Sequence, residues 1–338
     1  MQNVPNVPAP GDNDRPDRAV ARGRWRAWLE LTRLSNLPSV WGNLLAGALL
    51  VGGWAALAEG SGNGPSVGEV LAAAWDGGLG WALLAGSLMY LAGMVMNDAK
   101  DADWDRRHRP DRPIPSGRVA RGTVWLAGWL LWGGGLAAGW LVADGRWWLA
   151  ALAVAVVSYT FSHKKWAGSV LLMAACRGLL VLLGASTLAG AGAPDWFEAT
   201  GWWPVAGAAL ALSGYVAGLT LMARGEARGG RVPLAAWVLL LLAPAWGVLL
   251  LAGPAGSAGP TALATTVALV TLLGWVIWVR LRRRREGPPS TGAAVGRLLA
   301  GMPLVDALAV SLLSLPATVL FCLAPPLLRL WQRWVAAT

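Results

Sequence analysis

The most regular feature of this chain is a series of apolar stretches separated by short polar or basic segments. A helix needs about 20 predominantly apolar residues to cross the hydrocarbon core of a bilayer. The apolar stretches therefore predict an all-α integral membrane protein with nine transmembrane helices. They cover residues 37–58, 79–96, 119–142, 147–161, 169–190, 201–222, 232–252, 261–279 and 303–323.

Composition agrees with this class. Of 338 residues, 56% are apolar and only 14% are charged, which excludes an ordinary soluble domain. The 44 glycines suit close helix packing in lipid. We divide the chain into a Pro-, Asp- and Arg-rich arm at 1–24, predicted to be disordered, a transmembrane domain at 25–323, and a short interfacial segment at 324–338.

Basic residues fall in alternate loops, which fixes the predicted orientation. They concentrate in the N-terminal arm and in the loops at 97–121, 162–168, 223–231 and 280–302. By the positive-inside rule these segments and the N-terminus lie in the cytoplasm, which suits a bacterial inner (plasma) membrane. The net charge of +10 then reflects orientation and contact with anionic lipid headgroups, and we expect no nucleic-acid partner.

The most unusual polar feature is the acidic run at residues 97–105, directly after the second apolar stretch. If that helix continues through the run, Asp98, Asp101 and Asp105 stand at positions i, i+3 and i+7 and share one face. Asp103 then points elsewhere. Acidic side chains at the end of a membrane helix are costly unless a cation lies beside them.

Magnesium is the cation that this run fits. Carboxylates crowded on one face repel one another, and a divalent ion relieves the repulsion. Mg²⁺ takes oxygen ligands and commonly brings a substrate phosphate with it. Asn97 lies one turn before Asp101 and offers an amide oxygen to the same ion.

An arginine- and proline-rich loop follows at 106–117. Its prolines and Gly117 predict a stiff, non-helical segment. Arg109 and Arg112 could each donate two hydrogen bonds to phosphate oxygens, because the guanidinium group is planar and fork-shaped. The alternative is a solvated loop whose basic residues follow the positive-inside rule.

These motifs together resemble the UbiA superfamily of membrane prenyltransferases. The resemblance lies in Asn97-Asp98-x-x-Asp101-x-x-x-Asp105, in the Arg112-Pro-Ile-Pro-Ser-Gly117 that follows it, and in the segment 33–43. It implies a nine-helix bundle with a cavity on the cytoplasmic side. It also implies that Asn97, Asp98, Asp101 and Asp105 bind a diphosphate through Mg²⁺.

Further residues are placed at the cavity by the same resemblance. Asn36 belongs to the first matching segment, and Lys164 and Arg177 stand where the family has other cavity residues. With Arg109, Arg112 and Arg224 they form the predicted set of diphosphate-binding side chains.

One segment departs from the family pattern. The loop after the sixth apolar stretch usually carries two aspartates, but here residues 220–230 contain a single acid, Glu226. This form resembles a divergent, EboC-like branch of the superfamily. Arg224 could neutralise diphosphate charge in place of a second ion, or it could simply belong to a positively charged loop. Glu226 is a further candidate metal ligand.

Two ionisable residues lie within predicted membrane segments. Arg177 should face the cavity and pair with an acid or with bound diphosphate, because an unpaired charge there is costly. Asp306 is either that partner or a match for the positive end of a helix dipole. His108 and His163 are expected to be loop residues rather than ligands.

The predicted activity is therefore transfer of an isoprenoid group from a prenyl diphosphate to an acceptor at a Mg²⁺ site facing the cytoplasm. The acceptor and the oligomeric state are not encoded in any motif that we can interpret. Two other functions remain open. One is a non-catalytic isoprenoid or lipid carrier that keeps the diphosphate site, and the other is a scaffold subunit that does not need the acidic run.

Overall fold

The computed structural model describes residues 15–59, 64–142, 144–189, 201–226, 232–253, 256, 259–287 and 290–332. The side chains of residues 15–22, 58–59 and 226 lie outside the description. Helices, turns and short irregular segments make up the described chain, and no strand occurs in it.

Fourteen α-helices and one short 3₁₀ helix follow one another along the described residues. The α-helices are α1 Arg15–Thr32, α2 Leu37–Glu59, α3 Val67–Asp76, α4 Leu79–His108, α5 Arg121–Gly139, α6 Arg146–Ser162, α7 Ser169–Ser186, α8 Trp203–Glu226, α9 Leu234–Leu240, α10 Leu242–Ala252, α11 Gly259–Glu286, α12 Thr291–Ala300, α13 Met302–Val310 and α14 Leu315–Trp331. The 3₁₀ helix, Leu34–Asn36, joins α1 to α2.

Seven helical segments among the described residues are long and apolar enough to cross a bilayer. They are Gly23–Leu57, Leu79–His108, Ser169–Ser186, Trp203–Gly225, Leu234–Ala252, Gly259–Glu286 and Thr291–Val310. The third and fourth predicted stretches form the helices α5 and α6, but neither helix is among these seven segments. With 17 residues, α6 is shorter than a full span, and α5 is interrupted by glycines and tryptophans.

The predicted ninth helix at 303–323 is wrong as a single element. α13 ends at Val310, the chain turns, and α14 begins at Leu315 after Ser314, whose hydroxyl accepts a hydrogen bond from the backbone N–H of Ala317. The predicted boundary at 324 consequently falls inside α14, which continues through Pro325 to Trp331. Hydropathy misses this break because apolar residues continue on both sides of it.

The N-terminal arm also differs from the prediction. α1 begins at Arg15, so residues 15–24 of the arm predicted to be disordered are helical. The helix contains several alanines and arginines and two leucines, which are strong helix formers. Residues 1–14 lie outside the described part of the chain.

α2 and α4 support the polar end of the fold. α2 contacts α3, α4, α7, α8 and α13, and so occupies a central place among the helices. α4 does not stop where its apolar stretch ends at Met96 but continues to His108. The acidic run therefore lies on the last turns of a long helix that packs against α2, α5 and α6.

Close packing of α2 against α7 depends on two glycines. A methyl group built on Gly47 of α2 would overlap the backbone oxygen of Val181, and one built on Gly184 of α7 would overlap the backbone oxygen of Leu44. Each helix thus presents a glycine to the backbone of the other, which is the way small residues bring membrane helices together.

Substituting alanine at these positions tests this contact. We expect Gly47→Ala and Gly184→Ala each to lower stability by about 1–3 kcal/mol, because the obstructing atoms are backbone and cannot rotate away. Thermal unfolding in one detergent would measure the effect. Gly133→Ala in α5 is the matched control, since nothing lies within 4 Å of the added methyl group. Equal midpoints for all three variants would contradict this account of the α2–α7 packing.

Candidate functional site

The continuation of α4 places the four aspartates of the acidic run in different surroundings. Asp98 and Asp105 are buried, while the side chain of Asp103 is 62% exposed. Asp103 pairs with Arg106 at 3.2 Å and with Arg121 at 3.0 Å. It therefore lies on another side of the helix from the buried pair, as the spacing predicts.

Two arginines from outside the helix hold the buried aspartates. Arg112 donates to Asp105 Oδ2 at 3.0 Å and lies 3.5 Å from Asp98 Oδ1. Arg33 donates to the same Asp98 oxygen at 2.8 Å. The carboxylates are 8% and 3% exposed, so these contacts supply the opposite charge that buried acids require.

Arg33 is the main functional residue that the sequence analysis missed. It lies in the turn between α1 and α2 with φ 46° and ψ 47°, a left-handed conformation that is uncommon for arginine. The hydroxyl of Tyr90 on α4 donates to its backbone carbonyl at 3.0 Å. The available signal was its position, since Arg33 opens the segment 33–43 that resembles the family.

Asp101 faces a different set of partners. Lys164 Nζ lies 2.7 Å from Asp101 Oδ1, and His163 Nε2 lies 3.1 Å from the same oxygen. Both come from the loop between α6 and α7. Lys164 also lies over the ring of Trp104, 4.6 Å from its centroid. The expectation that His163 is only a loop residue is therefore incomplete, because its ring contacts an acid of the candidate site.

Arg224 does not line a cavity with the other predicted anion-binding residues. Its guanidinium donates to the backbone carbonyls of Ala167 at 2.7 Å and His163 at 3.1 Å, and to the hydroxyl of Ser169. In this structure the hydrogen bonds of Arg224 hold in place the α6–α7 loop, which contains His163 and Lys164. Glu226 is the last residue of α8, and its side chain lies outside the description.

The oxygen atoms near the acidic run suit a hard cation in kind. Asn97 Oδ1 is buried and has no hydrogen-bond partner among the residues that the structure describes, a costly state that a metal ion would relieve. In the described residues, however, no three His, Cys, Asp or Glu side chains converge as a ready metal site. The carboxylates are instead directed to basic side chains, so a metal would have to exchange with them.

A polar cavity of about 350 Å³ opens beside the acidic run. Five basic and polar residues, most of them predicted from the sequence, contribute to its wall, and other side chains of α4, α6, α7, α8, α12 and α13 complete it. The basic and polar group is Arg33, Asn36, Arg109, Arg112 and Arg177. Lys164 and Arg224 are not part of this wall.

An apolar pocket adjoins this cavity between α4, α6 and α7. Its lining includes Gly86, Gly93, Leu152 and Leu180. The cavity and the pocket share the side chains Tyr90, Met94, Tyr159, Met173 and Arg177. A basic compartment therefore borders an apolar one, an arrangement that suits a ligand with an anionic head and a hydrocarbon tail.

Comparisons with known proteins agree with these features. The model of the UbiA prenyltransferase family matches residues 67–294. A digeranylgeranylglyceryl phosphate synthase from Ignicoccus hospitalis is 37% identical over 100 residues, which are 29% of this chain. That match spans only 26% of the relative's length.

Two solved structures share the fold. A structure of digeranylgeranylglyceryl phosphate synthase gives a TM-score of 0.55 at 15% identity and covers 89% of this chain and 98% of its own. An apo UbiA homolog from Aeropyrum pernix K1 gives 0.54 at 17% identity, covering 83% and 96% respectively. At identities this low, the matches show only that the folds are similar.

The role of Arg224 can be tested by hydrogen exchange. Arg224→Leu removes three hydrogen bonds from a charged donor, each typically worth about 1.5–3 kcal/mol. We expect backbone amides at 163–169 to exchange at least about tenfold faster in this variant. Arg282→Leu, which removes an exposed pair with Glu286, should leave that loop unchanged. Equal exchange at 163–169 in both variants would show that other contacts hold the loop.

Proposed function

The chain belongs to the UbiA prenyltransferase family, and from this membership we propose that it is a membrane-embedded, Mg²⁺-dependent prenyltransferase. It would move an isoprenoid group from a prenyl diphosphate to a small or lipid-like acceptor. The observation that carries the proposal is that the arginine-lined cavity and the apolar pocket lie side by side and meet at five shared side chains. A prenyl diphosphate has the same division into an anionic head and an apolar tail.

The basic residues of the cavity would bind the diphosphate. Arg109 and Arg112 lie on the loop after the acidic run, Arg33 contacts the same Asp98 oxygen as Arg112, and Asn36 adds a polar side chain to the wall. In the reaction the bond between the allylic carbon and the diphosphate oxygen breaks, and its electron pair leaves with the diphosphate. Fixed positive charge beside that oxygen stabilises the charge as it develops.

The isoprenoid tail would occupy the apolar pocket. Tyr90, Met94 and Tyr159 form part of the shared wall, so the allylic carbon would lie near them at the junction. The acceptor bonds to this carbon and releases a proton. No side chain in the described residues is assigned as a general base.

Mg²⁺ is the proposed cofactor. Asn97, Asp98, Asp101 and Asp105 would hold it, with Glu226 as a further candidate. When bound, it supplies positive charge that offsets the charge on the diphosphate. Because Arg33 and Arg112 neutralise the acids in this structure, metal binding would free them to contact phosphate oxygens.

The remaining proposals concern the acceptor and the membrane. The relative from Ignicoccus hospitalis is named as a synthase of digeranylgeranylglyceryl phosphate, so a prenylated glyceryl phosphate is the first acceptor to test. We propose nine membrane crossings in a bacterial inner membrane, the last of them at 291–310 rather than at 303–323, with the N-terminus and the site facing the cytoplasm. The distribution of basic loops supports this orientation.

Variants of the acidic run test the activity. We expect Asp98→Asn and Asp105→Asn each to lower prenyl transfer by about 10²–10³-fold, because each removes a carboxylate that would hold Mg²⁺ beside the diphosphate. Mass spectrometry of products would measure transfer by the protein in lipid nanodiscs, with labelled prenyl diphosphates of several lengths. Asp103→Asn is the control on the same helix and should stay within about twofold of wild type.

Other outcomes separate the alternatives. Folded Asp98→Asn and Asp105→Asn proteins as active as Asp103→Asn would contradict the proposed site. Retention of labelled prenyl diphosphate without turnover across the acceptor panel would identify a carrier. Lipid mass spectrometry of a deletion strain against wild type would reveal the natural product as a missing prenylated lipid.

The relation between Arg112 and the metal has its own test. Since Arg112 competes for Asp98 and Asp105, Arg112→Gln should bind Mg²⁺ alone about tenfold more tightly, yet bind inorganic pyrophosphate more weakly. Titration calorimetry in detergent measures both. Arg118→Gln is the control in the same loop, because Arg118 pairs with Glu30 instead. Unchanged Mg²⁺ affinity in Arg112→Gln would contradict metal binding by these two acids.

A further inference from the structure

A cluster of four buried polar side chains lies beneath the cavity and joins three helices. Ser39 and Asn43 come from α2, Arg177 from α7 and Asp306 from α13. Their exposed fractions are 1%, 0%, 9% and 3%. Such a cluster is costly inside a membrane protein unless every member is satisfied.

Asn43 bridges the two charges of this cluster. Arg177 Nη1 donates to Asn43 Oδ1 at 3.1 Å and to Ser39 Oγ at 3.1 Å. Asn43 Nδ2 donates to the two carboxylate oxygens of Asp306 at 2.9 and 3.0 Å. The amide therefore turns its oxygen to the cation and its nitrogen to the anion, and only this orientation satisfies both neighbours.

The bridge consists of Arg177, Asn43 and Asp306, and these residues differ in their access to the cavity. Arg177 lines both the polar cavity and the apolar pocket, and its guanidinium lies 5.7 Å from the centroid of the Tyr90 ring. Asn43 and Asp306 line neither. Within the described chain both hydrogen bonds of Arg177 come from Nη1, so Nη2 and Nε remain for a ligand.

The packing around Asp306 fixes the far end of the bridge. A methyl group built on Gly42 would lie 2.9 Å from Asp306 Oδ2, so the absence of a side chain there admits the carboxylate. Asp306 thus sits directly against α2, in a site that leaves its carboxyl group little room to move.

We propose that Asn43 and Asp306 are positioning residues that hold Arg177 at the junction of the cavity and the pocket. Arg177 then faces the point where the diphosphate head of a bound donor meets its isoprenoid tail. This inference rests on the proposed function for the identity of the ligand. The bridge keeps the cluster neutral while leaving one side of the guanidinium directed at the ligand.

This role can be tested by moving the carboxylate from position 306, at one end of the bridge, to position 43, in its middle. Asn43→Asp alone places two carboxylates side by side and gives the cluster a net negative charge. We expect it to weaken inorganic pyrophosphate binding and to raise the donor KM by about tenfold or more, with a smaller change in kcat. Asn43→Leu, which removes the bridge, should also raise the donor KM.

Adding Asp306→Asn to Asn43→Asp restores neutrality and keeps a donor and an acceptor at each contact. We expect this exchanged pair to recover pyrophosphate affinity to within about threefold of wild type. The recovery would come from a residue that does not touch the cavity, which a purely local effect at position 43 could not produce. Calorimetry and steady-state kinetics on the full-length protein in detergent would measure these changes.

Ser311→Ala is the control for a merely structural role. Ser311 and Thr265 form another buried hydrogen bond, at 2.9 Å, and neither lines the cavity. This variant should lower the unfolding midpoint and leave the donor KM unchanged. If the folded Asn43 variants behave in the same way, or if the exchanged pair folds but does not recover affinity, the positioning role is overturned.

The proposed prenyl transfer and the positioning role of Asn43 and Asp306 can be contradicted separately. A wild type that binds pyrophosphate but transfers no prenyl group contradicts the proposed reaction, and the positioning role is then judged on pyrophosphate affinity alone. A wild type that does not bind pyrophosphate contradicts both.

Discussion

The contact between the acids on the last turns of α4 and basic side chains from three other segments is the interaction on which the polar end of this structure depends. Arg33 comes from the turn before α2, Arg112 from the loop after α4, and Lys164 from the loop after α6. Each pairing draws a separate segment onto one helix. Because a buried carboxylate without a partner is strongly destabilising, Arg33 and Arg112 both stabilise Asp98 and Asp105 and form part of the cavity wall.

Hydropathy predicts the helices best where composition changes sharply at their ends. The ends of α2 lie within one residue of the predicted ends. α4 continues as a helix through the acidic run, which is the condition for the predicted placement of its aspartates around the helix. The method fails at 303–323, since apolar residues continue through the turn between α13 and α14. A break made by backbone conformation and a serine cap leaves little trace in hydropathy.

The candidate site was predictable on its acidic side and much less so on its basic side. Local spacing along one helix separates Asp103 from the buried aspartates. Their partners depend on tertiary structure: Arg33 lies 65 residues from Asp98 in sequence and reaches it from a left-handed backbone conformation. Asn43 could not be recognised as a bridge, because Arg177 and Asp306 meet it only after three helices have packed.

The segment that departs from the family pattern includes the end of α8, and these contacts give that end a structural role. Where the family pattern has a second acidic motif, Arg224 fastens the α6–α7 loop, and that loop directs Lys164 and His163 at Asp101. A basic residue there supports the first acidic motif through a neighbouring loop. Asp101 is thereby tied to the scaffold, whereas the arginines on Asp98 and Asp105 line the cavity and can exchange with a ligand. We infer that a ligand in the cavity can reach the arginines that pair with Asp98 and Asp105, whereas Asp101 is held by a loop outside the cavity wall.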